Sequence, residues 1–573
     1  MSRSMSYRLV AGLMLIFVSW SFNDPVPLLS TDFSSPLNEV VRLSGSFGEL
    51  RPNHFHEGID IKGEVGTPVV AAADGYISRI GVSGNGYGKV LFVRHFNGFT
   101  SLYAHLQVFK PDVNTYVRKV QSDRKVFEVD LALEGELFPV RKGELIGYIG
   151  MTGSTQGPHL HFEIWDTETG HALNPLLMGV PYEDNIAPLI RQLKVYHLGP
   201  GLETLADETI GLTSTPSGAR VLQDTLVVGA WRVGFGLKAF DRMDGSHNLN
   251  GIYSLDMYAD GEKKYAFRMD RIEKQQTRYI NAHLDYEEQV QRRNYINKCY
   301  VVPGNELDIY QHGDDDTGVV QLSRYKARHI RLVAGDLAGN TSEVSFWVKR
   351  GDIPERKPVV YNYVLPHEAE SKIQEADMNL YFPGGTFYAD LLLDYGSFAD
   401  SSAGNYSRVH QLRPALTPVH GYFDMAIRPE GLPDALREKA FIGRCDLNNV
   451  VINYGGTWES GYLKARLRSF GDFVIMIDQT PPSIRPLNFA SRHVPGQSLR
   501  FMIRDNVVSG GLQRGLEYSG SIDGEWILME YDAKNQLLTH VLDRSLERGV
   551  HEFRLVVTDA MGNEQVFEKA FSY

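Results

Sequence analysis

Residues 159–164 read His-Leu-His-Phe-Glu-Ile, an unbroken alternation of polar and apolar side chains. Successive side chains of a strand point to opposite faces. The run therefore predicts a β-strand with His159, His161 and Glu163 on one face and Leu160, Phe162 and Ile164 on the other. The apolar face enters a core, and the polar face lines a site. Upstream, His56-Glu-Gly-Ile-Asp60 places two more donors four residues apart. Gly58 and the following Ile-Asp-Ile-Lys pattern favour a loop entering a strand over a helix. His105 closes the apolar run Gly98 to Tyr103. Nitrogen and oxygen donors in this mix suit a zinc ion that keeps one coordination position open. Each motif alone is most simply an ordinary polar strand residue. Together they put a donor set and spare imidazoles into one block, which implies a metal-dependent hydrolase if they converge in space.

The rest of the chain is organised around that block. At 573 residues it exceeds one core, and three or four domains are expected. Residues 40–181 are strand-rich, with Val69–Ala73, Lys89–Val93 and Leu145–Ile149 as strands between turn signals. A polar stretch, 107–139, interrupts the rhythm and reads as an insertion or lid with a short helix near Val117 to Asp123. Beyond Pro181 an internal repeat emerges. Asp184-Asn-Ile-Ala-Pro188 and Asp478-Gln-Thr-Pro-Pro482 open the copies. Each then carries an Asp before Gly-rich turns (Asp241, Asp505), an Asp-Gly turn (Asp260-Gly261, Asp523-Gly524) and a closing Asp-x-x-Gly-Asn (Asp336–Asn340, Asp559–Asn563). The predicted class is mostly β: an antiparallel-β domain at 40–181, then about three β-sandwich, immunoglobulin-like domains at 184–350, 355–477 and 478–573.

Arg3, Arg8 and the apolar run Leu9 to Trp20 mark residues 1–22 as a signal peptide or uncleaved N-terminal anchor, and no other apolar run is long enough to span a membrane. The expected location is outside the cytoplasm. A formal net charge of -12 without a basic tract argues against nucleic acid as partner. Cys299 and Cys445 fall in different domains and are expected to be free, buried thiols, which excludes a cysteine-based zinc site.

Arg51 to Gly75, Gly86-Tyr-Gly88, Val93-Arg-His95, Leu102-Tyr-Ala-His105-Leu106, Lys142-Gly143 and Gly150 to Glu163 together resemble the lysostaphin/LytM-type zinc metallopeptidases, metallopeptidase family 23, over about residues 45–178. The resemblance implies a peptidoglycan endopeptidase of the periplasm or cell envelope. It matches His56, Asp60 and His161 to zinc ligands, and His159 and His105 to catalytic histidines. One of those two would serve as base and the other would stabilise the oxyanion, in an order the sequence leaves open. Glu163 is either an orienting partner of a ligand histidine or a structural glutamate. The β domains would bind envelope proteins or the chain itself. The alternative is a non-catalytic zinc-containing scaffold or an activator of other wall hydrolases.

Weaker signals read as structure. Gly84-Asn-Gly86-Tyr-Gly88 is a hairpin turn, because a strand and not a helix follows it. Asp314-Asp-Asp316 is a solvated acidic loop. The Asp-x-x-Gly-Asn motifs make turns, and His54 and His95 are structural.

Overall fold

The alternating run forms the strand His159–Asp166, at the heart of an antiparallel sheet. The path across that sheet is Leu43–Gly45, Ile59–Lys62, His159–Asp166, Phe99–Ala104, Lys89–His95, Gly75–Val82 and Val129–Ala132. A second sheet of Pro68–Val70, Leu145–Ile149 and Leu106–Phe109 accompanies it. These features come from a computed structural model that describes residues 28–311, 317–351, 360–400, 404–445, 450–543 and 546–573. The expected signal or anchor at 1–22 and the acidic loop Asp314–Asp316 lie outside the described residues. Strands account for 47% and helices for 8%, a mostly β protein.

Burial follows the alternation. Leu160, Phe162 and Ile164 are fully buried with Ile59, Ile61 and Tyr103. On the opposite face, Val90, Phe92, Leu102 and Ala104 of the neighbouring strands form a small cluster of their own with Tyr87 and Trp165. On that face His161 and Glu163 are buried, and His159 is half-buried.

The stretch 107–139 begins within the strand Leu106–Phe109. It holds the helix Pro111–Arg124, longer than expected, with proline in its first turn and a left-handed stop at Lys125. Val113, Val117 and Gln121, spaced by one helical turn, are its buried residues. The segment then pairs as Val129–Ala132 with Gly75–Val82, at the opposite end of the path from the strand holding Asp60.

Three further β units follow, each of two sheets. The first runs from Leu189–Leu198 to Thr341–Arg350, the second occupies the region from Tyr363–Leu365 to Gly471–Ile477, and the third runs from Ser483–Pro486 to Glu564–Ser572. Strand exchange joins neighbours. Arg271–Ile272 of the first unit pairs with Ala172–Leu173 of the N-terminal sheet. Val508–Ser509 of the third unit pairs in parallel with Val451–Asn453 of the second. The apolar core of the N-terminal domain continues into the first unit without a break. The last unit returns to the N-terminal domain: Glu530 meets Arg118 at 2.6 Å and Lys89 at 3.2 Å, and Lys534 donates to the Met151 carbonyl at 2.6 Å.

The repeat landmarks take matching roles. Asp260 and Asp523 adopt left-handed conformations in the hairpins Ser254–Ala259/Glu262–Arg268 and Glu517–Ile522/Glu525–Ile527. Asn340 donates through its backbone and its amide to Asp336, each at 2.8 Å, and Asn563 does the same to Asp559. The expectation of two buried thiols is corrected. Both cysteines are free, but Cys445 is exposed, because it ends its strand where the chain leaves the sheet.

Phe162 is fully buried, with its ring centroid 5.2 Å from that of Tyr103. Truncation there leaves a cavity in the strand that carries the site. Phe162→Ala is expected to destabilise the N-terminal domain by about 3–5 kcal/mol. Chemical denaturation of the metal-loaded protein measures the loss.

Candidate metal centre

His56, Asp60 and His161 converge. Pairing of Ile59–Lys62 with His159–Asp166 sets His161 directly opposite Asp60. His56 arrives from the loop before that strand, which runs hard against its neighbour. A Cβ on Gly58 would stand 2.4 Å from the Phe162 carbonyl oxygen, so only glycine fits there. His56 Nε2 lies 3.1 Å from Asp60 Oδ1 and 2.9 Å from His161 Nδ1, and His161 Nδ1 lies 2.8 Å from Asp60 Oδ1. A tetrahedral centre with bonds of about 2.0–2.1 Å has edges of roughly 3.3 Å. The donors are therefore spaced for one small cation, and all three residues are buried.

The groups behind the donors fix which atoms face inward. His56 Nδ1 donates to the Ser46 carbonyl at 2.7 Å, which leaves Nε2 as a lone pair. Burial holds His56 down to about 4 against the pull of Asp60, so it is neutral at neutral pH. His161 Nε2 donates to Glu163 Oε1 at 2.6 Å, which turns Nδ1 toward the centre. Burial opposes charge on His161, but Asp60 and Glu163 outweigh it and push this imidazole up to about 9. A cation at Nδ1 takes the place of that proton. Asp60 turns its other oxygen to Arg51, at 2.5 Å. Glu163 is buried, which disfavours its charge. Hydrogen bonds from His161, from Tyr87 at 2.6 Å and from Trp165 at 2.5 Å prevail and keep it ionised. Glu163 thus orients the His161 ring, in line with one of the two readings the sequence left open.

His105 and His159 border the set. His105 sits between Phe99–Ala104 and Leu106–Phe109 in a left-handed conformation, φ 60°, where the chain steps from the larger sheet to the smaller. Its ring centroid is 4.9 Å from that of His159 and 5.8 Å from that of His161. His159 Nε2 is 3.4 Å from Asp60 Oδ1. A carbonyl can only accept, so the contacts of His105 Nδ1 to the Thr152 carbonyl and of His159 Nδ1 to the Gly157 carbonyl, both 2.9 Å, place the proton on Nδ1 of each ring. When neutral, each ring keeps its lone pair on Nε2. Burial, followed by the nearby His161 and His159, holds His105 down to about 3. His95 bonds Ser101 and the Asp74 carbonyl, in a structural role, and His54 is exposed at the rim.

A protein-family model for Peptidase family M23 matches residues 54–122 and 136–175, across all five of these residues. The chain contains an M23 peptidase domain. A Zu5-like domain model matches 362–478. DD-carboxypeptidase/endopeptidase Mpg of Neisseria meningitidis serogroup B is 37% identical over 155 residues, which is 27% of this chain and 29% of that protein. The murein hydrolase activator NlpD of Salmonella dublin is 32% identical over 121 residues, 21% of this chain and 25% of that one. The matches thus span under a third of either relative's length. The solved catalytic domain of the antimicrobial peptidase lysostaphin from Staphylococcus simulans is 25% identical with a TM-score of 0.18, covering 23% of this chain and 86% of that one. M23 metallopeptidases use zinc, and the two imidazoles and one carboxylate suit that ion.

The sequence pattern left out three residues that brace the M23 site: Arg51, Tyr87 and Trp165. Trp165 was accessible by strand parity, two residues beyond Glu163. Tyr87 sits in the Gly-rich hairpin and Arg51 in a turn before the ligand loop, and only the folded chain brings them to the carboxylates. Glu163→Gln removes a charged acceptor shared by three donors. It is expected to weaken zinc binding by about 10–100-fold, measured by competition with a chelator.

Proposed function

We propose that this protein is an exported zinc-dependent endopeptidase that hydrolyses peptide cross-links of bacterial peptidoglycan. The observation that carries this reading is the pair of imidazoles beside the metal set, His159 and His105, each holding Nδ1–H on a backbone carbonyl with Nε2 as its remaining nitrogen. A purely structural metal site has no use for them. The relationship to a DD-carboxypeptidase/endopeptidase supports a wall peptide as substrate. The basic and apolar start of the chain, residues 1–22, supports export, and no helix among the described residues is long and apolar enough to cross a membrane.

In this mechanism His56, Asp60 and His161 would hold zinc, which when bound would supply polarisation of the scissile carbonyl and a more acidic water. His159 accepts the nucleophile's proton at Nε2, helped by the negative oxygen of Asp60 3.4 Å away, and returns it to the leaving amine. His105 is the more enclosed ring and positions the nucleophile through its Nε2 lone pair. An oxyanion-stabilising role for either ring requires it to be protonated, because the single proton of a neutral ring is committed to a carbonyl.

A second reading is an activator without its own turnover. It draws on the relationship to a murein hydrolase activator and on the last β unit, whose Lys534 seats on Met151, the neighbour of the Thr152 carbonyl that holds His105. Digestion of purified peptidoglycan by the zinc-loaded wild type and His159→Ala separates the readings. The enzyme reading expects equal zinc content and muropeptide release about 10²–10⁴-fold slower in the variant. Equal release from both proteins, or release from neither, would overturn it.

A further inference from the structure

Three carboxylates that the peptidase chemistry does not use meet in the first β unit. Asp184 lies on the connection that leaves the M23 domain, Asp241 directly follows the strand Arg232–Phe240, and Asp336 opens the turn before Thr341–Arg350. Each offers an oxygen within 4.8 Å of the others'. Among the described residues none of the three forms an ion pair. Asp241 is only 9% exposed, yet its Oδ1 has no hydrogen-bond partner. Its backbone bridges in antiparallel fashion to Asn250, which puts both side chains on one side of the ladder. Asn250 is 1% exposed, and both polar atoms of its amide are unpartnered too.

Such an arrangement is unfavourable for the bare protein. Like charges at this distance repel, and burial withholds the water that would screen them. Burial, with the neighbouring carboxylates adding to it, raises Asp184 to about 7 and Asp241 to about 9. Local bonds nonetheless fix the geometry. Asn340 pins both oxygens of Asp336, and Asp184 Oδ1 accepts from the Ile186 amide at 3.0 Å. The repeat preserves the trio. Asp478, Asp505 and Asp559 stand at the corresponding landmarks of the last unit and converge in the same way. There Asn563 pins Asp559 and donates to the Asp478 carbonyl at 3.1 Å, as Asn340 does to the Asp184 carbonyl at 3.5 Å.

We propose that Asp184, Asp241 and Asp336, with the Asn250 amide oxygen beside them, form a calcium site. The donors are all oxygen, which selects a hard cation, and calcium takes an irregular set of carboxylates, amide oxygens and waters where magnesium demands a near-ideal octahedron. The ion ties the start of the unit, where the chain leaves the M23 domain, to its last hairpin. The site is separate from the zinc centre and does not depend on the reading of that centre's activity.

The test uses the zinc-loaded full chain, calcium chloride as the probe, and calcium-depleted buffer as the reference. Equilibrium dialysis and thermal unfolding are measured for the wild type and Asp241→Asn. The wild type is expected to bind calcium with a Kd of about 0.1–1 mM, the range of extracellular modules, and to unfold at a higher temperature when loaded. Asp241→Asn is expected to lose one equivalent of bound calcium. Without calcium it should unfold no earlier than the wild type, because a buried carboxyl with an unpartnered oxygen beside two other acids is gone; with calcium the order should reverse. Asp184→Asn, at a less buried position, should lose the same equivalent and serves if Asp241→Asn fails to fold. No calcium bound to the wild type at 10-fold the upper Kd, or unchanged stoichiometry in the variants, would overturn the proposal.

Discussion

The M23 site depends on one register. Ile59–Lys62 and His159–Asp166 are distant in sequence and pair so that His161 faces Asp60. A slip of one residue would turn His161 into the apolar core and Phe162 toward the metal set. The core prevents that slip, because Leu160, Phe162 and Ile164 are fully buried on one side of the strand. Hydrophobic packing thus decides where Asp60 and His161 stand. The outer ring of Arg51, Ser46, Glu163, Tyr87 and Trp165 then decides which atom of His56, Asp60 and His161 points inward. This division suits a buried polar cluster, which is stable only when every group has a partner.

The β units are not beads on a string. Arg271–Ile272 extends the peptidase sheet, Val508–Ser509 extends the sheet of the preceding unit, and Glu530 and Lys534 fold back onto the M23 domain. Lys274, from the first unit, lies 4.6 Å from the ring of Trp165, and Thr277 accepts from the Phe55 amide at 2.9 Å. The surroundings of the loop that carries His56 are therefore built in part by the first unit. The last unit also reaches the surroundings of His105, because Lys534 bonds the Met151 carbonyl next to the Thr152 carbonyl that holds the His105 ring.

The two kinds of carboxylate in this chain show opposite solutions to burial. Asp60 and Glu163 are surrounded by donors and stay ionised. Asp241 and Asp184 face other acids, and burial raises them. Both sets were visible in the sequence, the first as part of a donor pattern and the second only as repeat landmarks read as turns. The turn reading fits Asp336 and Asp559, whose asparagine partners close the loops. Convergence with Asp241 and Asp184 is a property of the folded sandwich and leaves no local trace.

Local pattern determined the elements. Strict alternation predicts the strand at 159–166 and its two faces, Gly58 with Ile-Asp-Ile-Lys predicts a loop into a strand, and the order of landmarks predicts the repeat. These are short-range consequences of side-chain period and backbone freedom. Local pattern could not place the stretch 107–139, whose helix buries Val113, Val117 and Gln121, nor foresee that Cys445 is exposed, because both depend on what packs alongside. The sequence by itself determined which residues carry nitrogen and oxygen donors and which face of each strand they take. The family resemblance already grouped His56, Asp60 and His161; only the tertiary structure decided how closely their donor atoms meet, that Tyr87 and Trp165 brace Glu163, and that three acids crowd without a counter-charge. Such contacts join segments far apart in the chain, and only the packing of the cores between them sets those distances.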